Sequence, residues 1–393
     1  TFSSASATPA AVQALIHALT YSDSNSTDPS TATRTVSVTV NDGDGATSSS
    51  ANVSISVVAV NDPPTLSATG NTPTYTENGS AVDLFSSVSV STVEAGQTIT
   101  SLTLTAANLA DGTSEILHMD GTDIALTNGN SGTTATNSMS YSVSLSGSTA
   151  TITLSKGGGI SGAAAATLVD GITYRDSSEN PNTTNRVFTL TSITDNGGTS
   201  NGGSDTTSLS VASTITVVTV NDAPTISAPG SIGVTEDIST ALTGISLADV
   251  DAGTASVTAT FATASGTLSA ISGSGVTVSG SGTSSLTLSG SIANINSFIS
   301  GSNLNFTTAA NATSNVTLNI GINDNGHSGS GGSQTDSTSL TLTVTAINDA
   351  PVNAVPGAQT LQQDGSLVFN NANSNLISIS DVDAGSSNMQ ITL

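Results

Sequence analysis

The sequence predicts an all-β chain: tandem β-sandwich domains in an elongated array, with one short helix per repeat. Three observations carry this expectation. Apolar residues alternate with Ser and Thr along many short segments, such as Ser54-Ile55-Ser56-Val57 and Ser339 to Ile347, and a period of two marks a half-buried strand. Asn, Asp and Gly punctuate those segments as turns. One tetrapeptide closes three of the runs: Asn61-Asp62-Pro63-Pro64, Asn221-Asp222-Ala223-Pro224 and Asn348-Asp349-Ala350-Pro351. Proline has no N–H to give to a ladder, so each copy ends a strand and begins a stiff linker.

Taking these linkers as boundaries, residues 1–62 read as the C-terminal half of a repeat. Residues 63–222 and 223–349 are complete repeats, and 350–393 is the N-terminal half of another. Other features keep a constant order around the linkers. An acidic position follows each one: Glu77, Glu236-Asp237, Asp364. Next comes a loop, Asp249-Val250-Asp251-Ala252-Gly253, matched by Asp381-Val382-Asp383-Ala384-Gly385 and loosely by Val93-Glu94-Ala95-Gly96. A helix-like segment sits late in each repeat, at 9–19, 162–171 and 290–299. The last two strands are joined by acidic loops: Asp42-Gly43-Asp44-Gly45, Asp195-Asn196-Gly197-Gly198 and Asn323-Asp324-Asn325-Gly326. A β-solenoid is the fold alternative, but its short fixed period is missing.

Composition narrows the function. The chain of 393 residues holds 28 acidic side chains against 4 Lys and Arg, a formal charge of −24. Such a surface cannot neutralise phosphates, so nucleic acid and anionic membranes are poor partners. Apolar runs of about 18 residues are absent, so no membrane insertion by a helix is expected. There is no Cys and no Trp; the cores must be thin layers of aliphatic side chains, stabilised by something other than disulfides. The start, Thr1-Phe2-Ser3-Ser4, has neither initiator Met nor signal peptide and reads as an interior fragment.

Strand direction decides which loops meet. Sandwich strands run alternately up and down, so every second loop lies at one end. In 223–349 the linker enters at the top, the Glu236-Asp237 turn lies at the bottom, and a second strand at about 241–247 climbs back. Asp249 and Asp251 then lie beside Asn221 and Asp222, and the loop before the last strand brings Asp324 to the same end. Four carboxylates and an Asn carbonyl are expected to converge there, with Glu77 reaching in from the preceding domain. The equivalent positions elsewhere are Asn61, Asp62, Glu94 and Asp195, and Glu236, Asn348, Asp349, Asp381 and Asp383. No Lys or Arg lies near these segments, and a hard cation with 6–8 oxygen ligands, Ca²⁺ rather than Mg²⁺, resolves the repulsion.

The Asn-Asp-Ala-Pro linker, the upstream Glu and the Asp-Val-Asp-Ala-Gly loop together resemble the cadherin-like repeats of giant bacterial surface adhesins, over nearly the whole chain. The resemblance implies Ig/cadherin-like sandwiches bridged by Ca²⁺, export by a dedicated secretion system, a cell-surface location, and a role in adhesion or biofilm. It implies partners that are neighbouring repeats or chains of the same protein, with any surface or matrix ligand bound outside this chain. Two departures stand out: Thr92 and Glu94 replace the paired Asp at the first junction, and Gln363 stands where Glu is expected. The first junction is expected to hold metal weakly or differently.

No catalytic constellation emerges. His17, His118 and His327 are scattered, no Gly-x-Ser-x-Gly elbow occurs, and the paired carboxylates sit in loops repeated along the chain. The first functional reading is therefore a non-catalytic extracellular stalk. The alternative is a self-assembling filament or sheath, in which half-repeats of neighbouring chains complement each other. A carbohydrate-binding module would want an aromatic platform, which 3% aromatics without Trp does not offer.

Overall fold

The computed structural model describes residues 7–392. They form two compact units, Thr1–Val218 and Thr219–Leu393, each all-β apart from nine-residue α-helices and, in the first, two 3₁₀ turns at Gly112–Ser114 and Ser200–Gly202.

In the first unit a seven-stranded sheet runs in the order Ser131–Thr133, Ser140–Ser146, Thr149–Ile160, Ile99–Ala107, Arg186–Asp195, Thr206–Val218, Thr74–Thr76. A four-stranded sheet contains Val82–Asp83, Thr173–Asp176, Glu115–Met119 and Thr122–Ala125. One core takes residues from both, among them Leu104, Ile152 and Phe188 from the large sheet and Leu117, Ile124 and Tyr174 from the small one. Tyr174 packs edge-on to Tyr75 with ring centroids 5.8 Å apart, and lies 5.2 Å from Phe188.

The second unit repeats the plan with fewer strands. Its six-stranded sheet runs Ser231–Thr235, Thr335–Thr345, Val316–Asn323, Val257–Thr263, Ser285–Gly290, Thr277–Ser279. Thr240–Ala241, Asn305–Thr307 and Thr267–Ser269 form a three-stranded sheet. Alternation does the sorting: Val316, Leu318, Ile320 and Ile322 are drawn inward while Thr317 and Asn319 face solvent. Each fully buried aliphatic side chain contributes about 1.5–3 kcal/mol.

The helices fill one position in each repeat. α1 (Pro9–His17), α2 (Gly162–Asp170) and α3 (Ile292–Ser300) begin at a hydroxyl cap, Thr8, Ser161 or Ser291, whose oxygen accepts the backbone N–H three residues on. That satisfies one of the donors a helix start leaves unpaired. α2 buries Ala165, Leu168 and Val169, and α3 buries Ile295, Phe298 and Ile299. α1 buries nothing; in fact no residue from 7 to 60 is buried.

The strand expected at 241–247 is two strands. Thr240–Ala241 pairs with Asn305–Thr307, whereas Ser246–Ala248 pairs with Thr225–Ser227. Between them Gly244 adopts φ +81°, a left-handed conformation that glycine enters without steric penalty, so the chain crosses between sheets there. The strand after the linker is likewise split at Pro229. Thr225–Ser227 joins one sheet, and Ser231–Thr235 crosses to run parallel with Thr341–Thr345. Early and late parts of a repeat are thereby stitched along one ladder.

Truncating Phe261 at the centre of the second core is expected to destabilise that unit by about 3–5 kcal/mol. Thr317→Ala on the solvent face should stay within about 0.5 kcal/mol. Urea denaturation of the two variants checks both.

Candidate metal centre

One loop geometry recurs at the start of each repeat. Asp249 Oδ1 accepts the backbone N–H groups of Asp251 and Ala252 at 3.1 and 3.0 Å. Asp381 Oδ1 accepts those of Asp383 and Ala384 at 3.2 and 2.9 Å. This Asx turn aims the second acid at the linker. Asp251 Oδ2 accepts the Asp222 N–H at 3.2 Å, and Asp383 Oδ2 accepts the Asp349 N–H at 2.9 Å. At the first linker Glu94 Oε1 does the same for the Asp62 N–H at 2.7 Å. Glu94 thus fills the position of the second Asp, while Thr92, in place of the first, donates to the Glu94 carbonyl.

The linker asparagines latch the other acidic loop. Asn221 Nδ2 donates to Asp324 Oδ2 at 2.5 Å and to the Gly332 carbonyl at 3.0 Å. Asn61 Nδ2 donates to Asp195 Oδ1 at 3.2 Å and to the Ser204 carbonyl at 2.6 Å. So the amide nitrogen, not the carbonyl expected from sequence, faces the carboxylate, because a carboxylate and a main-chain carbonyl both need donors. Asp324 is well supplied: its Oδ1 also takes the N–H groups of Gly326 and Gln334, both at 2.8 Å. Burial pushes its pKa up, but those donors, with a smaller pull from His327, outweigh it and leave the pKa lowered.

Asp249 is in the opposite state. Burial first, and the neighbouring Asp251 second, push its pKa from 3.8 to about 6. Asp249 Oδ2, Asp251 Oδ1 and Asp195 Oδ2 are buried and accept no hydrogen bond. Buried acceptors without partners are rare and costly, and an oxygen-seeking cation would satisfy them.

At the far end of 223–349 the acids gather more tightly. Carboxylate oxygens of Glu236, Asp237 and Asp349 lie within 4.8 Å of one another. Glu236 and Asp349 open on a cleft of about 450 Å³ whose lining also includes Asn348 and Asp383 and contains no Lys or Arg. Glu236 is buried, and its Oε2 accepts the Ile347 N–H at 3.2 Å. Asp237 was not among the ligand positions expected from sequence. Its φ of +55° is left-handed, and Asn78 and Asp364, at +58° and +65°, hold the same turn after Glu77 and Gln363. An Asx residue after the acid is the sequence signal, since Asn and Asp tolerate this conformation best. Glu77 is itself buried, and its N–H donates to the Val218 carbonyl at 2.9 Å. Glu236, Asp237, Asp349 and Asp383 therefore supply the hard anionic donors that Ca²⁺ prefers.

A second acidic group was not anticipated. Arg186, fully buried, binds Asp111 at 2.5 Å and Glu115, and lies 3.8 Å from Asp176. Its guanidinium also caps the carbonyls of Asn182 and Thr184. Burial raises the Asp176 pKa to about 6. Here a fixed cation already sits among the acids, so this cluster is a structural brace. The readable signal was Tyr-x-Asp followed by Arg, present at Tyr21, Asp23 and Arg34 as at Tyr174, Asp176 and Arg186. The histidines stay peripheral: His118 bonds Asp123 at 2.8 Å and His17 bonds Gln13 at 2.7 Å, both exposed.

No protein-family model matches the chain, and no curated protein sequence does. Among solved structures it is similar to human mucin-like protocadherin EC1-2, at 13% identity and a TM-score of 0.27 over 72% of this chain and 99% of that one. It is similar to mouse cadherin-23 EC22-24 at 13% identity and a TM-score of 0.29, covering 80% of this chain and 74% of that one. Mouse protocadherin-24 EC1-3 gives 14% identity and a TM-score of 0.27, covering 80% of each. Likenesses this distant carry no functional weight, which rests on the chain's own carboxylates.

Two outcomes are expected. Arg186→Leu leaves three acids around no cation and should cost about 3–5 kcal/mol in chemical denaturation. The Asp249 pKa is raised on folding, so its contribution to stability is complete below its unfolded value and lost as pH rises through about 6. The metal-free melting temperature should therefore fall less between pH 4 and 7 in Asp249→Asn than in the parent chain.

Proposed function

We propose that the chain is a non-catalytic structural segment of an extracellular surface protein, a stalk whose repeat junctions are braced by Ca²⁺. The observation that carries this reading is the junction at Asn348-Asp349. Glu236 from one repeat, Asp349 from the linker and Asp383 from the next repeat line one cleft with no cationic side chain, and a carboxylate oxygen of Asp237 lies within 4.8 Å of those of Glu236 and Asp349. When bound there, Ca²⁺ supplies the positive charge that these acids lack. The residues do the positioning. The Asx turn of Asp381 aims Asp383 at the linker, the Ile347 N–H orients Glu236, and the left-handed turn places Asp237. Tying the foot of one sandwich to the entry loop of the next restricts the hinge that a four-residue linker would otherwise leave free.

The same entry loop at Asp249 and Asp251, with its unpartnered oxygens, extends this reading to the junction at Asn221-Asp222. A location at the cell surface, a bacterial adhesin as parent, and a role in adhesion or biofilm belong to the same proposal, with ligand recognition assigned to regions outside this chain. Carboxylates that recur at linkers act as braces, not as acid and base, so no catalysis is proposed. No helix among the described residues is long and apolar enough to cross a membrane.

Thermal unfolding with Ca²⁺ and with a chelator tests the proposal. Binding to the folded state at a hundredfold excess over Kd adds about 2.7 kcal/mol, or a rise of roughly 5–10 °C. Glu236→Gln combined with Asp349→Asn should remove most of the rise assigned to that junction. An unchanged melting temperature, together with an unchanged small-angle scattering profile, would sink the reading.

A further inference from the structure

The chain has no cysteine and a single lysine, Lys156. That lysine is not on a solvated face. In the strand Thr149–Ile160 the side chains of Ala150, Ile152 and Leu154 are buried, and Lys156 continues the same alternation, half-buried on the core side. Lysine is rarely drawn inward without a partner. Three glycines, Gly157-Gly158-Gly159, follow it, and the ladder to Ile99–Ala107 slips between Ser155 and Ile160. At this bulge Lys156 Nζ donates to the main-chain carbonyl of Asn137 at 2.6 Å. Asn137 lies in the loop that leads into Ser140–Ser146.

An acid holds Asn137 as well. Asp120 and Gly121 form the tight turn between Glu115–Met119 and Thr122–Ala125 in the four-stranded sheet. Their φ angles are +50° and +76°, the left-handed pair that an Asp-Gly hairpin favours. Asp120 is 7% exposed. Its Oδ1 accepts Asn137 Nδ2 at 2.6 Å, and its Oδ2 accepts the Asn137 N–H at 3.0 Å and the Thr134 hydroxyl. Thr134 Oγ1 in turn accepts the Met139 N–H at 2.9 Å, which fixes the loop on both sides of Asn137. One asparagine is therefore held by an amine from the large sheet and a carboxylate from the small one. The carboxylate grips the amide nitrogen, the atom that must leave when an amine displaces it.

We propose that Lys156 and Asn137 are joined by an intramolecular amide bond, formed with Asp120 as the proton carrier. A turn about the Lys156 side-chain torsions moves Nζ from the Asn137 carbonyl to Cγ of the same residue. In its amine form Nζ attacks Cγ, and one Nζ proton passes through Asp120 to Nδ2. The Cγ–Nδ2 bond then breaks and ammonia departs. Atoms balance with no oxidant, reductant or second substrate. Holding amine and amide in one loop replaces a bimolecular encounter with an intramolecular one, and Asp120 contributes general acid–base catalysis. The bond closes a loop across 19 positions. It pins the connection between Ser131–Thr133, the exposed edge strand, and Ser140–Ser146 to the third strand of the sheet. A chain without cysteine thereby gains the kind of covalent constraint that a disulfide gives elsewhere.

Intact-mass spectrometry of the purified full chain under denaturing conditions tests this, followed by peptide mapping with a protease specific for acidic residues. The parent should be lighter than its sequence mass by one ammonia. One branched peptide should join the segments holding Asn137 and Lys156. Residues 223–349 contain no lysine, so their peptides should all be unbranched. Lys156→Arg and Asn137→Ala should each restore the full sequence mass, and Asp120→Asn should leave most of the chain unlinked. The branched peptide in the parent supports the proposal even if a variant folds poorly. A parent at full sequence mass overturns it. So does a deficit of one ammonia that persists in Lys156→Arg, because that loss belongs to succinimide formation at an Asn-Gly pair such as Asn128-Gly129.

Discussion

A backbone N–H at each linker, held by a carboxylate from the loop of the repeat it enters, sets where every sandwich begins. Asp62, Asp222 and Asp349 donate; Glu94, Asp251 and Asp383 accept. Because the following proline cannot extend the ladder, this bond and the asparagine latch beside it determine the direction in which the first strand leaves. The parallel pairing of early with late strand, and so the closure of each core, follows from that direction.

The same bonds concentrate negative charge where the fold can least disperse it. Of the four cationic side chains, Arg186 is spent inside one core on Asp111, Glu115 and Asp176. Arg175 and Arg34 serve exposed pairs, and Lys156 caps a carbonyl. None reaches the junction acids. Two solutions to acid crowding therefore coexist in one chain: a built-in guanidinium within a repeat, and between repeats a set of aimed oxygens suited to a cation from solvent. The first is part of folding itself. The second is the feature on which the proposed calcium brace rests.

The outer segments, residues 7–60 and 350–392, hold the same local structure as the complete repeats. α1 keeps its Thr8 cap, the hairpin keeps its register, and the Asp381 turn keeps both of its hydrogen bonds. All of these are short-range in sequence.

Residue order alone was enough for the all-β class, the repeat, the helix positions, the recurring Asx loops and the acids that approach each linker. All of these rest on local patterns: period-two alternation, hydroxyl caps, Pro and Gly stops, and a tetrapeptide that returns. Three-dimensional packing settled which acids are neighbours and in what state. It turned Asn221 so that its nitrogen, not its oxygen, meets Asp324, and it brought the Asp237 carboxylate near those of Glu236 and Asp349 through a left-handed turn. It split one expected strand between two sheets at Gly244, and it gathered Asp111 and Glu115, Asp176, and Arg186 from three separate stretches of chain. These outcomes depend on contacts between residues far apart in sequence and on burial, which sets the cost of leaving a donor or a charge unpaired. No pattern along the chain encodes either quantity.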